Sequence, residues 1–205
     1  QAKRLTDGAL TVPNALSVLR IVLVPVFLVL FLQKQYLAAI IVVAVSGLTD
    51  FLDGKIARRF NQISNLGKLL DPLADKLTQM VMAIAFFFAY HGSNDPLLKS
   101  FSWIFWFYVI KELLMVVGSV IMLSLNIIPS AAIIYGKVAT FTYCLVMLAL
   151  LICSPIFGLT ASFNAWTLPP VVVVILVSVS AVLTLIAFIS YLPGIVKQLK
   201  EYKAN

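Results

Sequence analysis

The chain has 205 residues, of which 62% are hydrophobic and 11% charged, against roughly 25% charged in an average soluble domain. A mean hydropathy of +1.06 implies more apolar surface than a soluble fold can hide, and it excludes disorder, which needs low hydrophobicity and high net charge. An all-α integral membrane protein remains, and at about 20 apolar residues per span the length accommodates roughly six transmembrane helices with short loops.

The apolar runs follow one another closely. The first covers residues 15–32 and is interrupted by Arg20 and Pro25; the second covers 36–48 and continues as a polar helix toward Phe60. The third starts over residues 68–75 and is fully apolar over 77–90, after which HGSNDP (91–96) reads as a polar loop. The fourth run is 101–125, interrupted by Lys111 and Glu112; the fifth is about 138–157 and the sixth about 168–191. Pro13, Pro96, Pro129, Pro155 and Pro169 fall near the ends of these runs, where a missing N–H does least harm. Residues 1–13 leave room for a short interfacial helix. The first apolar segment follows Lys3 and Arg4 but is too long for a signal peptide and lacks a small-residue cleavage site. No internal repeat is visible, and the chain reads as one domain.

Lysine and arginine set the expected orientation. With six spans the termini share a side, and that side holds Lys3, Arg4, Lys55, Arg58, Arg59, Lys68, Lys137, Lys197, Lys200 and Lys203, whereas the opposite loops hold Lys34 and Lys99. Both termini and the link between spans two and three are therefore expected in the cytosol. The net charge of +7 is first a topology signal, and it also favours anionic lipid; the basic residues form no patch suited to nucleic acid. Cys144 and Cys153 share one apolar run and read as small core residues rather than a disulfide, and a single histidine, His91, excludes a histidine-rich metal site. The aromatic run WIFWFY (103–108) reads as an outer interfacial belt.

The acidic residues carry the functional information. Of eight in the chain, five lie within or beside apolar runs: Asp50, Asp53, Asp71, Asp75 and Glu112. A carboxylate at membrane depth is costly unless compensated. Asp50 and Asp53 are spaced i, i+3 near the end of span two, and Asp71 and Asp75 are spaced i, i+4 near the start of span three. Each spacing puts a pair on one helical face, and antiparallel neighbours joined by a short link can bring both pairs to one depth. Four such carboxylates call for hard divalent cations, and a pair of ions suits phosphoryl chemistry. Gly54, Ala57 and Gly67 leave room for a ligand or a close helix approach, and Lys55, Arg58, Arg59, Lys68 and Lys76 nearby suit a phosphate-bearing one. The plainer alternative is a set of charges that snorkel to the surface or pair with each other.

The window over residues 50–75 resembles the signature of the CDP-alcohol phosphotransferases, D-x2-D-G-x2-A-R-x8-G-x3-D-x3-D. Asp50, Asp53, Gly54, Ala57, Arg58, Gly67, Asp71 and Asp75 occupy its eight fixed positions with every spacing intact. The stretch PNALSVLRIVLVPVF (13–27) is similar to the opening of phosphatidylglycerophosphate synthases, and past residue 90 the likeness is mostly one of hydropathy. The resemblance implies a six-helix fold and an enzyme of phospholipid biosynthesis. Such an enzyme transfers the phosphatidyl group of CDP-diacylglycerol to an alcohol with release of CMP. It implies that Asp50, Asp53, Asp71 and Asp75 hold two divalent cations, Mg²⁺ or Mn²⁺. It further implies that Asp50, Asp53, Gly54, Ala57, Arg58, Gly67 and Asp71 bind the cytidine diphosphate, and that Asp75 is the general base. Homodimers are common in such families.

For the acceptor, glycerol 3-phosphate is favoured, with Lys111 and Lys137 as residues for its phosphate. Lys111–Glu112 stands where phosphatidylglycerophosphate synthases usually show Arg-Glu, and Lys137 lies in a stretch similar to their GK motif. The chain departs from their pattern at Ser119, where a second arginine is usual, and near Thr140, where a second basic residue is usual. Phosphatidylglycerol, the acceptor of cardiolipin synthases that share the signature, is the alternative. Lys111–Glu112 also reads as a structural ion pair, Lys137 as a span anchor, and Arg20 either as snorkelling or as reaching the polar cluster. Two non-enzyme classes compete: a divalent cation transporter and a metal-stabilised scaffold. An ion path would show carboxylates through the depth of the membrane, and a transporter would show repeats. The lack of a transit-type N-terminus leans toward a bacterial plasma membrane with the site at its cytosolic face.

Overall fold

The computed structural model describes residues 12–59, 67–124 and 134–204. They form helices and turns with no strand: α1 (Val12–Leu32), α2 (Tyr36–Arg59), α3 (Gly67–His91), α4 (Pro96–Phe101), α5 (Ile104–Ser124), α6 (Ile134–Cys153), α7 (Leu159–Ser162) and α8 (Pro170–Ala204). Among the described residues five helical segments are long and apolar enough to cross a membrane; α2, the sixth long helix, offers a shorter apolar stretch, Tyr36–Thr49. The interfacial helix expected over residues 1–13 lies outside the described residues except for its last two, which already belong to α1.

The helices present apolar side chains outward and bury several polar ones among an apolar core. Val18, Val22, Val26 and Val29 of α1 and Val171, Ile175, Val179 and Val182 of α8 are exposed, whereas Ser17, Arg20, Ser180 and Thr184 are buried. So extensive an apolar exterior requires a hydrocarbon solvent, because in water it would expose the faces that cost most. The chain is a membrane protein.

Two compact units divide it, Gln1–Ala85 and Phe86–Asn205. In the first, α1 and α2 form a tight antiparallel hairpin. The three-residue link is closed by Gln33 N→Val29 O, Lys34 N→Phe31 O and Gln35 N→Leu30 O at 3.0, 3.0 and 2.9 Å. Lys34 takes the left-handed conformation, φ 60°, that so short a reversal demands. Phe31 packs against Phe27 and edge-on against Tyr36 at 5.8 and 5.7 Å between ring centres. Arg20 and Pro25, expected to interrupt span one, lie within one continuous α1: Arg20 is turned inward and Pro25 is exposed. Leu23, Val24 and Phe27 of α1, Val42, Val43 and Ser46 of α2, and Thr78 of α3 line one small cleft, so the three helices meet at that level.

The second unit is built on aromatic packing. Phe86, Tyr90, Phe105 and Phe157 are all buried, with Tyr90 stacked on Phe105 at 5.7 Å and edge-on to Phe157 at 4.8 Å. The run expected as one span over 101–125 is α5, and the short α4 precedes it. Asp95 caps α4 by accepting from Leu97 N and Leu98 N, Pro96 opens it, and Ser102 closes it through Ser102 N→Leu98 O at 2.9 Å. Span five ends at Cys153 rather than 157, since Pro155 cannot extend the helix and disfavours helical backbone at Ser154. Span six runs on through Pro193 to Ala204. His91, expected in a loop, ends α3 and stacks on Phe87 at 5.1 Å beside Trp103. Neither cysteine is in a disulfide, and Cys144, expected in the core, is exposed.

Candidate active site

The signature occupies two helices. Residues 50, 53, 54, 57 and 58 lie on the last turns of α2, and residues 67, 71 and 75 on the first turns of α3. The side chains of Asp50, Asp53, Gly54, Ala57, Arg58, Gly67 and Asp71 lie outside the described residues; that of Asp75 is described. Among the described residues no three acidic, histidine or cysteine side chains gather as a metal set.

The direction of α3 follows from chain length. Ser46 and Thr78 line one cleft. Were α3 parallel to α2, the distance from Ser46 to the end of α2 plus that from the start of α3 to Thr78 would total about 36 Å at 1.5 Å per residue. The seven-residue link (60–66) spans at most about 28 Å. The two helices therefore run back past each other rather than parallel. The two halves of the signature thus lie on the adjoining ends of α2 and α3.

Asp75 is half-buried. Its Oδ2 accepts from Gln79 Nε2 at 3.2 Å, one turn further along α3, and Gln79 is buried. Thr78 Oγ1 donates to Ala74 O at 2.9 Å, which returns its hydroxyl to the helix backbone. Gln79 was not anticipated from the sequence; a lone amide one turn beyond an aspartate, entering an apolar run, is the signal that could have found it. Further polar side chains face inward nearby. On α1, Asn14, Ser17 and Arg20 are all at most 3% exposed, which excludes snorkelling for Arg20. On α2, Ser46 and Thr49 are buried, and Thr49 Oγ1 donates to Ser46 O at 2.7 Å.

The two lysines proposed for the acceptor belong to the second unit. Lys111 Nζ pairs directly with Glu112 Oε1, and Glu112 is buried at 3% exposure. Lys137 is exposed on the first turn of α6, beside Gly136, where a Cβ would overlap the Tyr191 ring.

The sequence model of the CDP-alcohol phosphatidyltransferase family matches residues 10–185, across both units. An Aquifex aeolicus protein named CDP-diacylglycerol–glycerol-3-phosphate 3-phosphatidyltransferase is 34% identical over 142 residues, covering 69% of this chain and 74% of that one. A Streptomyces coelicolor protein named cardiolipin synthase (CMP-forming) is 53% identical over 78 residues, 35% of this chain and 36% of that one. The human protein of the same name is 44% identical over 86 residues, 42% of this chain and 29% of that one. The match thus spans about a third of the two cardiolipin synthases and three quarters of the Aquifex protein. No solved structure matches the chain. The chain belongs to the CDP-alcohol phosphatidyltransferase family.

Proposed function

We propose that the chain transfers the phosphatidyl group of CDP-diacylglycerol to glycerol 3-phosphate, releasing CMP and forming phosphatidylglycerophosphate, at the cytosolic ends of α2 and α3. The observation that supports this is the cleft shared by Ser46 of α2 and Thr78 of α3, with one half of the signature following on α2 and the other preceding on α3. The likeness to the Aquifex protein, over most of both chains, supports the acceptor. The basic residues near the signature and at the C-terminus support a bacterial plasma membrane orientation with this site inside the cell.

Asp50, Asp53, Asp71 and Asp75 offer the hard oxygen donors that Mg²⁺ or Mn²⁺ prefers. Two such ions, when bound, supply positive charge to a dianionic pyrophosphate. The chain's own groups do the rest. Arg58 and the small Gly54 and Ala57 receive the cytidine diphosphate. Asp75 takes the proton of the acceptor hydroxyl as that oxygen bonds to the phosphatidyl phosphorus, and the bond from phosphorus to the CMP oxygen breaks with its electron pair on CMP. Gln79 holds the Asp75 carboxylate oriented for that transfer. Direct displacement needs no covalent enzyme intermediate. The site meets the lipid boundary, as a diacylglycerol-bearing donor requires.

Phosphatidylglycerol is the second acceptor, favoured by the pairing of Lys111 with Glu112, which occupies one of the two lysines, and by the local likeness to cardiolipin synthases. The test is CMP release by purified protein in detergent with CDP-diacylglycerol and Mg²⁺ or Mn²⁺, each acceptor in its own reaction and Asp75→Asn as control. Release with glycerol 3-phosphate, lost in the variant, is expected. Release with phosphatidylglycerol alone would make this a cardiolipin synthase, and failure to bind the donor would end the transferase proposal.

A further inference from the structure

We infer that Arg20 is part of this site: the inward face of α1 forms its third wall, and Arg20 binds the pyrophosphate of the donor. This rests on the function proposed above. The buried residues of α1 form one stripe, Asn14, Ser17, Arg20, Val24, Phe27 and Phe31. Its spacing of three and four is that of a single helical face. The stripe is polar over its first two turns and apolar from Val24 onward. The outward residues beside it, Val18, Leu19 and Val22, are exposed and apolar. Arg20 is thus directed into the bundle at 3% exposure, away from lipid and from the interface.

The depth of Arg20 follows from the hairpin. Val24, Ser46 and Thr78 line one cleft, on α1, α2 and α3 respectively. Because α1 and α2 are antiparallel, one turn back from Val24 and one turn on from Ser46 lead the same way, each by about 6 Å. They arrive at Arg20 and at position 50. The next turn brings Ser17 alongside position 53. On α3 the same direction from Thr78 leads within about 5 Å to Asp75. Arg20 therefore lies level with the aspartate-bearing turns of both other helices.

Charge explains why a cation belongs there. Four carboxylates and two divalent ions cancel, so a dianionic donor arriving at the site needs positive charge from the protein. A guanidinium stays charged when buried and grips two phosphate oxygens at once. Ser17 and Asn14, on the same face, add neutral donors. Arg58 and the basic residues beside the signature supply charge from α2 and α3; Arg20 adds its own from α1.

The experiment is calorimetric titration of the purified full chain in detergent with CDP in saturating Mn²⁺, and separately with Mn²⁺ alone, together with KM for each substrate. For Arg20→Gln, CDP affinity and the KM of CDP-diacylglycerol are expected to worsen tenfold or more. Mn²⁺ affinity should hold or tighten, since a competing cation is gone. Arg20→Lys, which keeps the charge but loses the fork, should weaken CDP three- to tenfold and carries the test if the glutamine variant does not fold. Unchanged CDP affinity would overturn the assignment, as would CDP and Mn²⁺ affinities falling together, the mark of a purely structural arginine. A rise confined to the KM of glycerol 3-phosphate would also overturn it, by moving Arg20 to the acceptor. If the unmodified chain binds no CDP with Mn²⁺ present, the transferase proposal fails and takes this one with it.

Discussion

Gln79 donates from Nε2 to Asp75 Oδ2 across one turn of α3, with Gln79 buried and Asp75 half-buried. The amide fixes one oxygen of the carboxylate. It also lends a neutral donor to an anion in a low-dielectric setting, where such a bond is worth about 1.5–3 kcal/mol. Gln79→Leu should therefore lower kcat by roughly 10- to 100-fold if that energy is expressed in the transition state. CDP affinity should change little, because Gln79 lies on the far side of Asp75 from the signature's other positions. CMP-release kinetics and CDP titration on the same variant check both halves. A variant that lost CDP affinity and kept kcat would remove Gln79 from the proton transfer.

Tyr90 and Ser154 hold the second unit together by a buried hydroxyl pair, Tyr90 Oη and Ser154 Oγ at 2.9 Å. Ser154→Ala strands the phenol, and Tyr90→Phe leaves Ser154 Oγ only the longer bond from Ile156 N at 3.3 Å. Each single change should cost about 1–3 kcal/mol, whereas the double change should cost less than the sum, because neither partner is then left unsatisfied. Thermal unfolding in detergent of the two single variants and the double variant completes the cycle. Additive losses would show that the pair is not an interaction.

Gly158 sits in the turn between α6 and α7. A Cβ there would meet Ser154 O at 2.5 Å, Ser154 N at 2.6 Å and Ile152 O at 2.8 Å, all backbone atoms. Gly158 N also donates to Ser154 O at 3.0 Å. Its backbone is extended, φ −79°, so the glycine is needed for close approach rather than for a left-handed turn. Gly158→Ala should lower stability by about 2 kcal/mol or more, since rigid backbone has to move. Gly47, where a Cβ meets nothing, is the control: Gly47→Ala in mid-helix should be neutral or stabilising by up to about 1 kcal/mol.

Hydropathy made much of the helix order legible beforehand. The ends of α2 and α3 fall where the apolar runs and the polar continuation toward Phe60 suggested, because helix length there is set by local pattern. The short α4 was not legible: it depends on Asp95 and Ser102 capping one and a half turns between the polar loop and the apolar run. Arg20 and Pro25 looked like interruptions because a composition window cannot tell an inward arginine from an outward one. The burial stripe of α1, a tertiary property, resolves that. Gln79 was invisible for the same reason, since an amide matters only once its partner is turned toward it.

Lys111 and Glu112 are adjacent on α5 and paired, with Glu112 buried. Removing one member of a buried pair leaves a bare charge, whereas removing both is often neutral. Lys111→Met should therefore destabilise the chain by about 3–5 kcal/mol, with Lys111→Met/Glu112→Leu restored to near the parent's Tm. The double variant then separates structure from recognition. If the pair serves only to insert α5, the stable double variant keeps its KM for glycerol 3-phosphate. If Lys111 also reaches the acceptor's phosphate, KM rises tenfold or more in protein of normal stability, while the KM of CDP-diacylglycerol stays put. The exposed Lys137 offers the complementary measurement, because Lys137→Gln strands no buried charge. A rise in the KM of glycerol 3-phosphate in that variant alone would assign the acceptor to α6 and leave the α5 pair structural.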